Sequence, residues 1–85
     1  MTRSVLLWNM PVDTGEEEVL WLANEFFVPE RCMRLDVDTW ELTFANVPQA
    51  KIVKIALDGV YQRNGLIRTA QLAYPGNCLS YFIWL

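Results

Sequence analysis

The 85-residue chain contains no histidine, two cysteines, four glycines and no apolar run long enough to cross a membrane. Each shortage closes a class of function. Without histidine there is no imidazole base and no mixed Cys/His zinc site, and Cys32 and Cys78 alone do not have metal-ligand spacing. Two isolated thiols read as ordinary reduced side chains rather than a disulfide framework. The few glycines form no phosphate-cradling loop, and no serine or cysteine sits in a nucleophilic arrangement. Val5-Leu6-Leu7-Trp8 is too short for a signal peptide core and is broken by Asn9 and Pro11. A membrane helix needs about 20 apolar residues, far more than any run here. Seven basic residues against ten acidic ones leave a net charge of −3, which disfavours strong nonspecific binding to phosphate backbones. The sequence therefore implies no enzyme, no cofactor, no small-molecule substrate and no membrane partner.

What the chain has in quantity is apolar surface. Hydrophobic residues make up 53% of it, including four Trp, four Phe and three Tyr. One small core cannot hide them all, and apolar groups left on a soluble surface mark interaction sites. The length allows a single core.

Ser4–Trp8 is β-branched, aliphatic and aromatic and stops at Asn9-Met10-Pro11, so it reads as a strand. Thr14 is placed to cap a helix whose first turn, Glu16-Glu17-Glu18, suits the positive end of the helix dipole. From Val19 to Phe27 the spacing is helical, with Val19, Leu20, Leu22, Ala23, Phe26 and Phe27 on one broad face. Glu17, Asn24 and Glu25 fall opposite, with Trp21 among them. Arg31–Asp36 and Thr39–Ala45 read as two strands joined by a tight hairpin, the second with Trp40, Leu42 and Phe44 on one side and Thr39, Glu41 and Thr43 on the other. Asn46 caps a second helix that tolerates Pro48 in its first turn, buries Ala50, Val53 and Leu57, and stops at Asp58-Gly59. Asn64-Gly65 is a turn, and Leu66–Ala73 is a final strand. The order β-α-β-β-α-β predicts an α+β, ferredoxin-like sandwich: a four-stranded antiparallel sheet with two helices on one face. Residues 1–73 form this domain, and 74–85 is an apolar extension expected to pack on the sheet or at an interface.

These segments resemble the RNA-recognition motif (RRM). Val5-Leu6-Leu7-Trp8-Asn9-Met10-Pro11 is similar to that family's first-strand motif, and Thr43-Phe44-Ala45-Asn46-Val47-Pro48-Gln49-Ala50 to its passage from third strand to second helix. Leu57-Asp58-Gly59-Val60 resembles its helix end, and Asn64-Gly65 with Leu66–Ala73 its last strand. The resemblance implies an RNA-facing sheet on which bases stack on aromatic side chains. At those positions this chain has Leu6, Thr39 and Glu41, and Glu41 repels phosphate. Val37 and Asp38 stand where the motif opens with a basic residue and glycine, and the hairpin there is short. The acidic first helix is similar to that of relatives that bind peptides through an Arg-x-Phe motif, but Gln62-Arg63-Asn64-Gly65-Leu66 has the Arg without the Phe, so that mode is not carried over.

Two readings of function follow. In the first, the domain is a non-catalytic protein-interaction module, homo- or heteromeric, in a ribonucleoprotein or RNA-processing assembly, and so intracellular, nuclear or cytoplasmic. Its contacts come from Trp21, Glu17 and Glu25 on the first helix, from Ile52 and Ile55 outside the core stripe of the second, or from the tail. In the second, it binds single-stranded RNA weakly, with Trp8, Tyr81 and Phe82 replacing the lost aromatics beside Leu6, Thr39 and Glu41. Arg31, Arg34, Arg63 and Arg68 would add a basic strip only if the second and last strands display them together; solvated edges are the plainer reading.

Overall fold

The computed structural model describes residues 2–62 and 65–72. Its elements are β1 (Ser4–Trp8), α1 (Glu16–Asn24), β2 (Arg31–Asp36), β3 (Thr39–Thr43), α2 (Val47–Leu57), a small hairpin of β4 (Tyr61–Gln62) and β5 (Gly65–Leu66), and β6 (Arg68–Gln71). The main sheet is antiparallel in the order β2-β3-β1-β6. This is the split β-α-β-β-α-β layout, with the hairpin added before the last strand.

Alternation along the strands decides what each face carries. Val5 and Leu7 of β1 and Trp40, Leu42 and Phe44 point at the helices. There they meet Val19, Leu22 and Ala23 of α1 and Ala50, Val53 and Leu57 of α2 in one buried cluster. Burying a side chain of this kind is worth about 1.5–3 kcal/mol. Trp40 brings one cost: its indole Nε1 is buried without a hydrogen-bond partner.

The last strand is locked to both ends of α2 by two buried polar residues. Thr69 donates from Oγ1 to the Lys54 carbonyl at 2.6 Å, and its backbone N–H donates to Asp58 Oδ1 at 3.1 Å. Gln71 Nε2 donates to the Thr2 carbonyl at 2.8 Å and to the Val47 carbonyl at 3.3 Å.

Several boundaries depart from the sequence expectations. The N-cap of α1 is Gly15, not Thr14; no side chain caps it, and Thr14 is buried with its N–H bonded to the Pro11 carbonyl. The helix ends at Asn24 rather than Phe27, because the amides of Phe26 and Phe27 both turn onto the Ala23 carbonyl. Phe27 still packs on the core, Leu20 is half-buried and Phe26 is exposed. β3 stops at Thr43, where the Phe44 amide bonds the Arg3 carbonyl. The expected strand from Leu66 to Ala73 is divided: Leu66 pairs with Tyr61, and β6 joins β1. Asn46 does cap α2, its Oδ1 accepting from the Gln49 amide at 2.9 Å, and Gly59 takes φ +81°, the left-handed stop that glycine permits.

Candidate functional site

At 100° per residue, Trp21 lies almost opposite the buried Val19, Leu22 and Ala23, with Glu17 and Glu25 one turn to either side. It is 63% exposed, and both glutamates are exposed. An indole there adds nothing to the core. The sequence EEEVLWLAN of α1 has no basic residue.

α2 carries the complementary composition. Ala50, Val53 and Leu57 face inward. Pro48, Ile52 and Ile55, at i, i+4 and i+7, line the opposite side. Ile52 is 47% and Ile55 62% exposed. The helix is thus apolar on two sides, and its only charged residues are Lys51 and Lys54. Both helices lie on the same face of the sheet, α1 against β2 and α2 against β1 and β6, so the structure brings Trp21, Glu17, Glu25, Ile52 and Ile55 onto one helix layer.

The other face of the sheet holds Leu6, Trp8, Thr39 and Glu41, as alternation predicts. Leu6 pairs with Glu41 on one side and Ala70 on the other. It is 1% exposed and clusters with Leu72, with Trp8 partly buried against the pair. A stacking platform has to be open; Leu6 is closed, Trp8 is half-covered, and Thr39 and Glu41 offer no ring. The Thr39 hydroxyl donates to Asp38 Oδ1 at 2.9 Å. Tyr81, Phe82 and the extension 74–85 lie outside the described residues.

The basic strip does not form among the described residues. β2 and β6 are opposite edges of the sheet, so Arg31 and Arg68 are separated by two strands. Arg34 turns to the helix side, its guanidinium 5.7 Å from the Trp40 ring centroid and donating to the carbonyls of Val12 and Val37 at 2.9 and 2.8 Å. Arg68 Nε sits 3.4 Å from Asp58 Oδ1. Arg63 lies outside the described residues.

Two features were not anticipated. A shallow cavity of about 440 Å³ opens where β1 ends, lined by Asn9, Met10, Pro11, Val12, Asp13, Asp38 and Gly65. Asn9 there adopts φ 63° and donates from Nδ2 to the Leu66 carbonyl at 2.8 Å, holding the small hairpin against β1. The tolerance of asparagine for left-handed backbone was the available signal. Cys32 lies on the core side of β2, where burial, with a smaller push from the Glu16 carboxylate, raises its thiol to about 11. That makes it unreactive at neutral pH. Among the described residues no group of three or more His, Cys, Asp or Glu is placed to hold a metal ion, and no helix is long and apolar enough to cross a membrane.

No family model and no curated protein matches the sequence. Solved structures do. The two RNA recognition domains of Sex-lethal from Drosophila melanogaster match with a TM-score of 0.79 at 15% identity, over 87% of this chain and 51% of that one. The Sex-lethal protein in its RNA complex matches with 0.79 at 18% identity, over 91% of this chain and 50% of that one. This is a divergent RNA-recognition-motif fold. The NONO-1 homodimer of C. elegans matches with 0.73 at 20% identity, over 80% of this chain and only 27% of that one. The RRM fold here thus spans a quarter to a half of the length of these neighbours. At such identities the likeness establishes the architecture alone.

Proposed function

We propose that this RRM-fold domain is a non-catalytic protein-interaction module of an intracellular ribonucleoprotein or RNA-processing assembly, working through its helix layer. The observation that carries the reading is the outward side of α2. Ile52 and Ile55 project into solvent from a helix whose core is already complete, and Trp21 does the same from α1. Desolvating these groups would drive association, since tryptophan is enriched among the residues that dominate interface energetics. The surrounding charges would select the partner. The ribonucleoprotein setting draws on the fold and on the neighbours that bind RNA or dimerise.

The sheet supports RNA less well. Its platform residues are Leu6, Thr39 and Glu41, and Leu6 and Leu72 are buried. The discriminating experiment is an amide-shift titration of the domain with a random single-stranded RNA pool, run beside co-purification from cells. Shifts confined to Leu6, Trp8, Thr39 and Glu41 that vanish with salt would replace this reading with RNA binding. A spectrum indifferent to RNA, with co-purifying proteins lost on Trp21→Ala or Ile52→Asp, supports it.

A further inference from the structure

We infer that the partner of the helix layer is a second copy of this chain, docked so that α1 of each copy lies on α2 of the other. The inference rests on the interaction-module reading and names its partner.

The charges single out this pairing. α1 carries Glu16, Glu17 and Glu18, is followed by Glu25, and has no basic residue; α2 carries Lys51 and Lys54 and has no acidic one. Each outer face centres on apolar groups: Trp21 between Glu17 and Glu25, and Ile52 with Ile55 beside Lys51. Among the described residues Glu17, Glu25 and Lys51 make no ion pair or hydrogen bond within the chain. Setting α1 on α1 would oppose carboxylates to carboxylates, and α2 on α2 would oppose ammonium groups. Only the crosswise arrangement matches acidic rim to basic rim while seating the indole on the two isoleucines.

The arrangement closes. α1 and α2 share one layer, so a two-fold axis running between them places α1 over α2 of the second copy and α2 over its α1 in a single operation. Both junctions are then identical, as an isologous interface requires, and no free patch remains to propagate a chain. The area suffices. The body measures 30 × 26 × 19 Å, and a face spanning its two longer dimensions offers on the order of 800 Å², what each partner gives to a standard interface.

The test is multi-angle light scattering and sedimentation of the purified chain from micromolar to millimolar concentration, with charge reversals. The wild type is expected to be dimeric. Glu17→Lys/Glu25→Lys makes α1 basic like α2, and Lys51→Glu makes the α2 rim beside Ile55 acidic like α1. Each variant is expected to be monomeric at concentrations where the wild type dimerises, with a folded amide spectrum. Mixing the two makes both junctions complementary again, and a heterodimer should form at one-to-one stoichiometry. A wild type that stays monomeric at millimolar concentration, or two variants that do not pair on mixing, overturns the inference. If the wild type is monomeric while co-purifying proteins are still lost on Trp21→Ala, only the second copy is ruled out and the interaction-module reading stands.

Discussion

Single side chains in this domain show how one residue serves the core, the helices or the solvent, but seldom two at once. Cys32 faces inward from an edge strand, and its thiol stays protonated until about pH 11. Iodoacetamide should therefore modify it roughly 100-fold more slowly at pH 8 than an ordinary cysteine, because the thiolate is the reactive form. The same shift links to stability. The unfolded thiol ionises near its ordinary value of 9.0 and the folded one near 11, so its contribution is complete below pH 9 and is lost as pH rises through 11. Urea melts of wild type and Cys32→Ala between pH 8 and 11 should differ by a pH-dependent amount with that sign. Thr69 works through its hydroxyl on the Lys54 carbonyl. Replacing it with valine keeps the shape and should cost about 1 kcal/mol in the same melts.

Among the elements, α2 has two sides of similar composition and different consequence. Phe44 enters the core just ahead of it and is fully buried. Phe44→Ala should lose about 3–5 kcal/mol, a large part of the stability of a domain this small. Ile52→Asp, on the outward side, should change stability by no more than about 0.5 kcal/mol, yet abolish association. Denaturant midpoints and light scattering on the same two variants separate the roles: a large loss of stability in Ile52→Asp would show that the isoleucine belongs to the fold. The binary pattern of α2 made Ala50, Val53 and Leu57 legible as core, and the cap at Asn46 and stop at Gly59 were equally readable because both are local backbone requirements. The end of α1 was not. Phe26 and Phe27 continue the helical period of the sequence, but the chain must turn toward β2, and the Ala23 carbonyl takes both amides. Likewise Leu66 to Ala73 shows one strand-like run, while pairing with Tyr61 and Gln62 takes its first residues into a separate hairpin.

For the molecule as a whole, the balance of charge and the state of the sheet face argue the same way. A net charge of −3 and a platform of Leu6, Thr39 and Glu41 should leave affinity for random single-stranded RNA weaker than about 0.1 mM at physiological salt. Fluorescence anisotropy with a labelled oligonucleotide measures this directly. Tight binding that falls with Trp8→Ala would restore the sheet as the working surface. Strand order removed one candidate that sequence reasoning had kept open. Arg31 and Arg68 sit on strands that look equivalent in the sequence, but the sheet places them at opposite edges, and Arg34 points at Trp40 instead of outward.

The sequence by itself determined the β-α-β-β-α-β order of the main elements, the inward side of β3 and the core stripe of α2, because alternation, helical period and capping are written within a few neighbouring residues. It also showed that Trp21, Ile52 and Ile55 lie outside those core patterns. Tertiary structure decided that these three share one layer, that the arginines do not assemble into a strip, and that Leu6 is closed. Each of those outcomes depends on which distant segments the sheet order brings together, and strand pairing is a long-range choice that no local pattern encodes.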